Sequence, residues 1–115
     1  MSRHNDTVSL QQMLVHAREA VAMVKDCTRE QLDNERVLSL ALVQLVQIIG
    51  ESANRVSDPR RQQHAEIPWS QIVALRNRLI HGYDTINFDI LWKILIEDLP
   101  LLVASLEKIL SYPES

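Results

Sequence analysis

Between residues 37 and 56 the chain places Val37, Leu38, Ala41, Leu42, Leu45, Val46, Ile48, Ile49, Ala53 and Val56 at helical spacing, covering more than half of a helix surface with apolar side chains. A helix this apolar needs two neighbours to bury it, which predicts a central place in a bundle, a subunit interface, or both. Gly50 lies inside the run, where it costs about 1 kcal/mol relative to Ala; close approach of another backbone is the expected compensation. Glu51, beside it, reads as a surface carboxylate at the border of the stripe.

The other helices follow from the same period. Leu10, Met13, Leu14, Ala17, Val21 and Val24 form one stripe running to about Cys27, with Ser9 and Gln12 spaced as a capping box at its start. Thr28, Asp33 and Asn34 offer the next caps. Ser57, Asp58 and Pro59 stop the central helix, and the polar run through Glu66 reads as a loop. Pro68 suits the first turn of a helix that continues through Trp69, Ile72, Val73, Leu75, Leu79 and Ile80, with Gly82 placed to end it. A last helix carries Phe88, Leu91, Trp92, Leu95 and Ile96, then Leu101, Leu102, Leu106, Ile109 and Leu110; Pro100 should kink or split it. No run alternates with a strand period. The expected fold is all-α, an up-and-down bundle of four main helices formed by residues 1–115 as one domain.

Composition narrows the chemistry. A chain of 115 residues can bury one core without disulfides, and its one cysteine, Cys27, has no partner within the chain. No Cys or His pair has zinc-ligand spacing, so neither a metal nor a cofactor is expected. The N-terminal residues lack an apolar signal segment and no stretch approaches about 18 uncharged apolar residues, which predicts a cytoplasmic protein with no membrane partner. The formal net charge of -3 excludes a broadly basic nucleic-acid binder. Its distribution is uneven. Residues 55–81 carry five Lys or Arg against two Asp or Glu, whereas both flanking stretches are acidic. Arg55, Arg60, Arg61, Arg76 and Arg78 supply that excess, a local match for one polyanion.

Within the basic segment, Arg76-Asn77-Arg78-Leu79-Ile80-His81-Gly82-Tyr83 gathers a permanent cation, an amide, an imidazole and a phenol. Arg can brace a phosphate or a developing oxyanion, and His exchanges protons near neutral pH. On an ideal helix Asn77 and His81 share a face, while Arg76 and His81 diverge by roughly 140°. For both to address one phosphate, the helix must unwind near His81 and Gly82, or a second subunit must bring its own copy across a two-fold axis. Trp69 and Trp92 fall on apolar faces and read as core; His64, in the polar loop, reads as solvated.

An Arg-x4-His spacing alone is a weak signal; the extended string is more specific. It resembles the Arg-(polar)-x3-His motif of HEPN domains, and the appended His-x-Tyr is similar to the HepT toxins that pair with minimal nucleotidyltransferase antitoxins. Ile49-Gly50-Glu51-Ser52-Ala53 resembles that family's second-helix segment, with Ser52 where Ala is usual. Ile67-Pro68-Trp69 and Asp98-Leu99-Pro100 match its helix entry and its final-helix break. The resemblance covers nearly the whole chain.

It implies a homodimeric helical bundle whose two motifs face each other in a cleft and cleave RNA without metal. Arg76 and His81 would be the catalytic pair, with Asn77 as their polar partner. Tyr83 would be the residue to which the antitoxin transfers AMP, silencing the toxin. Arg78, Arg60 and Arg61 are candidate RNA contacts, and the substrate is RNA, with tRNA one candidate. The alternative is an inactive HEPN module that binds a nucleotide or the nucleotidyltransferase.

Overall fold

The computed structural model describes residues 5–81 and 85–111, and for His81 the backbone alone. Helix α1 (Asp6–Val24) is followed by a short α2 (Arg29–Asn34) and the central α3 (Arg36–Asn54). Then come α4 (Asp58–Gln63), α5 (Trp69–Val73) and α6 (Leu75–Leu79). A two-residue ladder, β1 (Ile80–His81) with β2 (Thr85–Ile86), leads into α7 (Phe88–Lys93), a π-helical turn (Ile94–Asp98) and α8 (Leu99–Ser111). The fold is an all-α helical bundle, as the apolar periods require.

The two long stripes are the core. Leu10, Met13 and Ala17 of α1 pack with Leu42, Val46, Ile49 and Ala53 of α3, all fully buried. Both expected neighbours of α3 are present: α1 covers one side, and α5 with α6 the other. By length and composition α3 could cross a membrane, at a mean hydropathy of 1.4. Its buried residues instead form the centre of the bundle. Val37, assigned to the stripe from its spacing, lies in the first turn of α3 and is 83% exposed.

Several boundaries differ from the sequence expectation, each for a local reason. Helix α1 starts three residues before Ser9, because the Asn5 side chain accepts the Thr7 amide at 2.9 Å and acts as the cap. Ser9 is then buried within the helix rather than capping it. The stretch after Ser57 is not simply a loop: Asp58 and Pro59 open α4, a proline-started turn of helix. Thr28 does cap α2, and its amide donates to Gln31 Oε1 at 2.6 Å. The final run stays helical through Pro100, but its hydrogen bonding changes just before that residue. Leu99 N–H reaches back to the Ile94 carbonyl, five residues away. Pro100 has no N–H to offer Ile96, and the wider turn accommodates that gap.

Arg61 ties this end of the bundle together. Its guanidinium donates to the Ala53 and Asn54 carbonyls at 3.0 and 3.3 Å, closing the C-terminus of α3, and lies 5.8 Å from the Trp69 ring centroid. The Trp69 indole N–H returns to the Arg61 and His64 carbonyls. As expected, Trp69 is buried and Trp92 packs partly buried against the core. At the other end Arg29 reaches Asp89 at 2.8 Å, linking α2 to α7; hydrogen bonding to Asp89 raises its pKa.

Candidate functional site

The site begins with a glycine. A Cβ added at Gly50 would lie 3.1 Å from the Ile72 carbonyl oxygen and 3.6 Å from that of Val73, so a hydrogen at this position lets the backbone of α5 rest on α3. The close approach expected for Gly50 is therefore present. Where α5 meets α3 the helix ends: Ala74 takes φ -86° and ψ 6°, and α6 begins again at Leu75. One continuous helix from Trp69 to Ile80 was expected, and the break at Ala74 replaces it.

Directly after this break, Arg76 and Asn77 are exposed and line a groove of 220 Å³. Gln47, Gly50, Glu51 and Asn54 of α3 form the facing wall, with Val73 between. Among the described residues neither Arg76 nor Asn77 has a side-chain hydrogen bond or ion pair. The groove thus presents a fixed cation and an amide, both available to a ligand.

Helix α6 stops at Leu79. Ile80 is extended, at φ -101° and ψ 121°, and pairs with Ile86, while the His81 backbone pairs with Thr85. The Leu79 carbonyl accepts the Asn87 amide at 2.9 Å, and the Asn87 side chain caps α7 by accepting from Ile90 N–H at 3.0 Å. His81 is consequently off the helix. The ideal-helix separation of roughly 140° from Arg76 does not apply, nor does the shared face with Asn77. The helix end expected at Gly82 comes instead at Leu79. Gly82, Tyr83 and the His81 side chain lie outside the described residues.

Arg78, Arg60 and Arg61 are engaged elsewhere. Arg78 lines a second groove and pairs with Asp98 at 3.4 Å, joining α6 to the π-helical turn. Residues two positions apart on a helix differ by about 200°, which explains why Arg76 and Arg78 do not share a groove. Arg60 Nε donates to His64 Nε2 at 3.3 Å, and Arg61 closes α3. His64, read as solvated, is half-buried between that contact and Trp69. Among the described residues no three His, Cys, Asp or Glu side chains gather as a metal set would.

Sequence reasoning did not single out Gln47 and Asn54 and gave Glu51 a bland surface role. Their spacing of four and three residues, which places them on one helix face, was the available signal.

Comparison with known proteins agrees with the geometry. The family described as Ribonuclease HepT-like matches residues 13–109. "Putative RNase MJ1380" of Methanocaldococcus jannaschii is 31% identical over 93% of this chain and 98% of its own length. "Putative RNase TTE0752" of Caldanaerobacter subterraneus is 30% identical over 88% of this chain and 90% of its own. "Probable ribonuclease HepT" of Thermococcus cleftensis is 30% identical over 79% of this chain and 86% of its own. No solved structure matches. With a helical bundle built around that motif and a match spanning most of its length, the chain belongs to the HepT-like ribonuclease family.

Proposed function

We propose that this protein is a homodimeric, metal-independent endoribonuclease, the toxin half of a pair with a minimal nucleotidyltransferase antitoxin. The observation that carries the reading is the groove where Arg76 and Asn77 stand exposed, without a side-chain partner among the described residues, in a chain of a ribonuclease family. In the reaction His81 removes the proton of a ribose 2′-hydroxyl, whose oxygen attacks the adjacent phosphorus. Arg76 steadies the negative charge that gathers on the phosphorane oxygens. The bond from phosphorus to the 5′ oxygen then breaks, and that oxygen takes a proton. The products are a 2′,3′-cyclic phosphate and a 5′-hydroxyl. Asn77 supports the site as a hydrogen-bonding amide.

The homodimer is part of the same reading: the groove holds 220 Å³, small for a ligand pocket, and a second copy across a two-fold axis would extend it.

The test is cleavage of total cellular RNA in EDTA by protein shown by mass to lack AMP, with the new 3′ ends assayed for cyclic phosphate. Cleavage that survives the chelator and leaves cyclic ends is expected. Silence would overturn the reading in favour of a module that binds a nucleotide or the nucleotidyltransferase without turnover.

Regulation is assigned to Tyr83, two residues beyond His81. AMP on its hydroxyl would add bulk and negative charge two residues from His81, where it would oppose an RNA phosphate. Tyr83→Phe is expected to keep cleaving RNA when incubated with the antitoxin and ATP, while the native protein is silenced and gains the mass of AMP. Mass gain on the Phe variant would move the modification to another residue.

A further inference from the structure

We propose that Glu51, with the amides of Gln47 and Asn54, reads an unpaired guanine beside the phosphate held by Arg76. The inference rests on the ribonuclease reading of the same groove and adds a substrate preference to it.

Three observations converge on Glu51. Gln47, Glu51 and Asn54 lie on one face of α3 and line the groove that Arg76 and Asn77 line from α6. Gly50, in contact with the Ile72 carbonyl, holds these two walls together. Among the described residues none of the three side chains has a hydrogen-bond or ionic partner. Glu51 and Arg76 carry opposite charge in one groove without an ion pair between them, so both heads are available to a ligand.

A carboxylate is an unfavourable wall for a polyanion unless something on that polyanion donates to it. In single-stranded RNA the donors are base N–H groups, presented on unpaired Watson–Crick edges. Guanine is the base whose edge carries two adjacent donors, N1–H and the N2 amino group, matching the two oxygens of one carboxylate. Adenine and cytosine place a ring acceptor beside their single amino donor, and uracil flanks one N–H with two carbonyls. Those acceptors repel a carboxylate. The O6 of guanine, next to N1–H, accepts from an amide, and Gln47 and Asn54 lie one helical turn to either side of Glu51. The wall therefore offers an amide donor beside two carboxylate acceptors, the complement of a guanine edge.

The experiment uses two short single-stranded RNAs that differ only by inosine in place of each guanine, which deletes the N2 amino group. Binding by fluorescence anisotropy and cleavage are measured for native protein and for Glu51→Gln. Native protein should favour the guanine RNA by about tenfold, the worth of one charge-assisted hydrogen bond. Glu51→Gln should erase that difference. Native cleavage or binding without preference would overturn the guanine assignment, as would a preference that persists in Glu51→Gln, including one that persists beneath an equal loss on both RNAs. Guanine-selective binding without cleavage would sustain the assignment and sink the ribonuclease reading; neither binding preference nor cleavage would overturn both.

Discussion

Arg76→Ala should lower RNA cleavage by about 10²- to 10³-fold, the usual cost of deleting one group that stabilises transition-state charge, while leaving the fold intact. Arg76 is exposed and has no side-chain partner among the described residues, so its removal breaks no contact there. Circular dichroism should be unchanged and stability should move by less than about 0.5 kcal/mol, as for other surface changes. His81→Ala is expected to lose at least as much, because it removes the motif's one imidazole, the group suited to take the 2′-hydroxyl proton. Arg78→Ala makes the contrast. It leaves Asp98 without its ion pair, which costs up to about 1 kcal/mol of stability at this exposure. Its effect on cleavage should be small beside that of Arg76→Ala. Equal activity losses at Arg76 and Arg78 would place the phosphate site elsewhere.

The second large effect is expected at Gly50. A Cβ added there would meet the Ile72 carbonyl oxygen at 3.1 Å, and that oxygen belongs to backbone, which cannot rotate away. Gly50→Val adds two methyls and should destabilise the bundle by about 1–3 kcal/mol through overpacking. For a domain of this size each kcal/mol lowers Tm by roughly 4 °C. Cleavage should fall further than the unfolded fraction accounts for, because the residues that contact Gly50 lie directly before the break at Ala74, after which α6 brings Arg76 to the groove. Gly50→Ala is the milder arm: its gain in helix propensity of about 1 kcal/mol offsets a shift of a few tenths of an ångström. A Val variant with native Tm and native activity would show that the contact is slack.

The core faces were legible because burial on a helix repeats with its turn. Leu10, Met13, Leu14, Ala17 and Val24 on α1, and Leu42, Leu45, Val46, Ile49 and Ala53 on α3, are buried where their spacing put them. The glycine among them announced a close backbone. Helix ends were less legible. Asn5 outcompetes the Ser9 box because it stands one helical turn earlier with an oxygen that reaches two amides. The two-residue strands after α6 are too short to show a period of two, and their pairing depends on residues on both sides of a turn.

The candidate site divides in the same way. The string from Arg76 through Tyr83, together with the segments around Gly50, Trp69 and Pro100, pointed to the family and to Arg76, Asn77 and His81 as its candidate residues. The sequence by itself also determined that the chain is helical and which faces turn inward, since both are set by local period. Only the tertiary structure decided which arginines remain available. Arg61 is held by carbonyls at the end of α3 and Arg78 by Asp98 twenty residues away, while Arg76 faces Gln47, Glu51 and Asn54 from another helix. A long cationic side chain reads the same in sequence whether it caps a helix, pairs with a carboxylate or waits for a phosphate, because its partner is chosen by packing between segments that no local pattern connects.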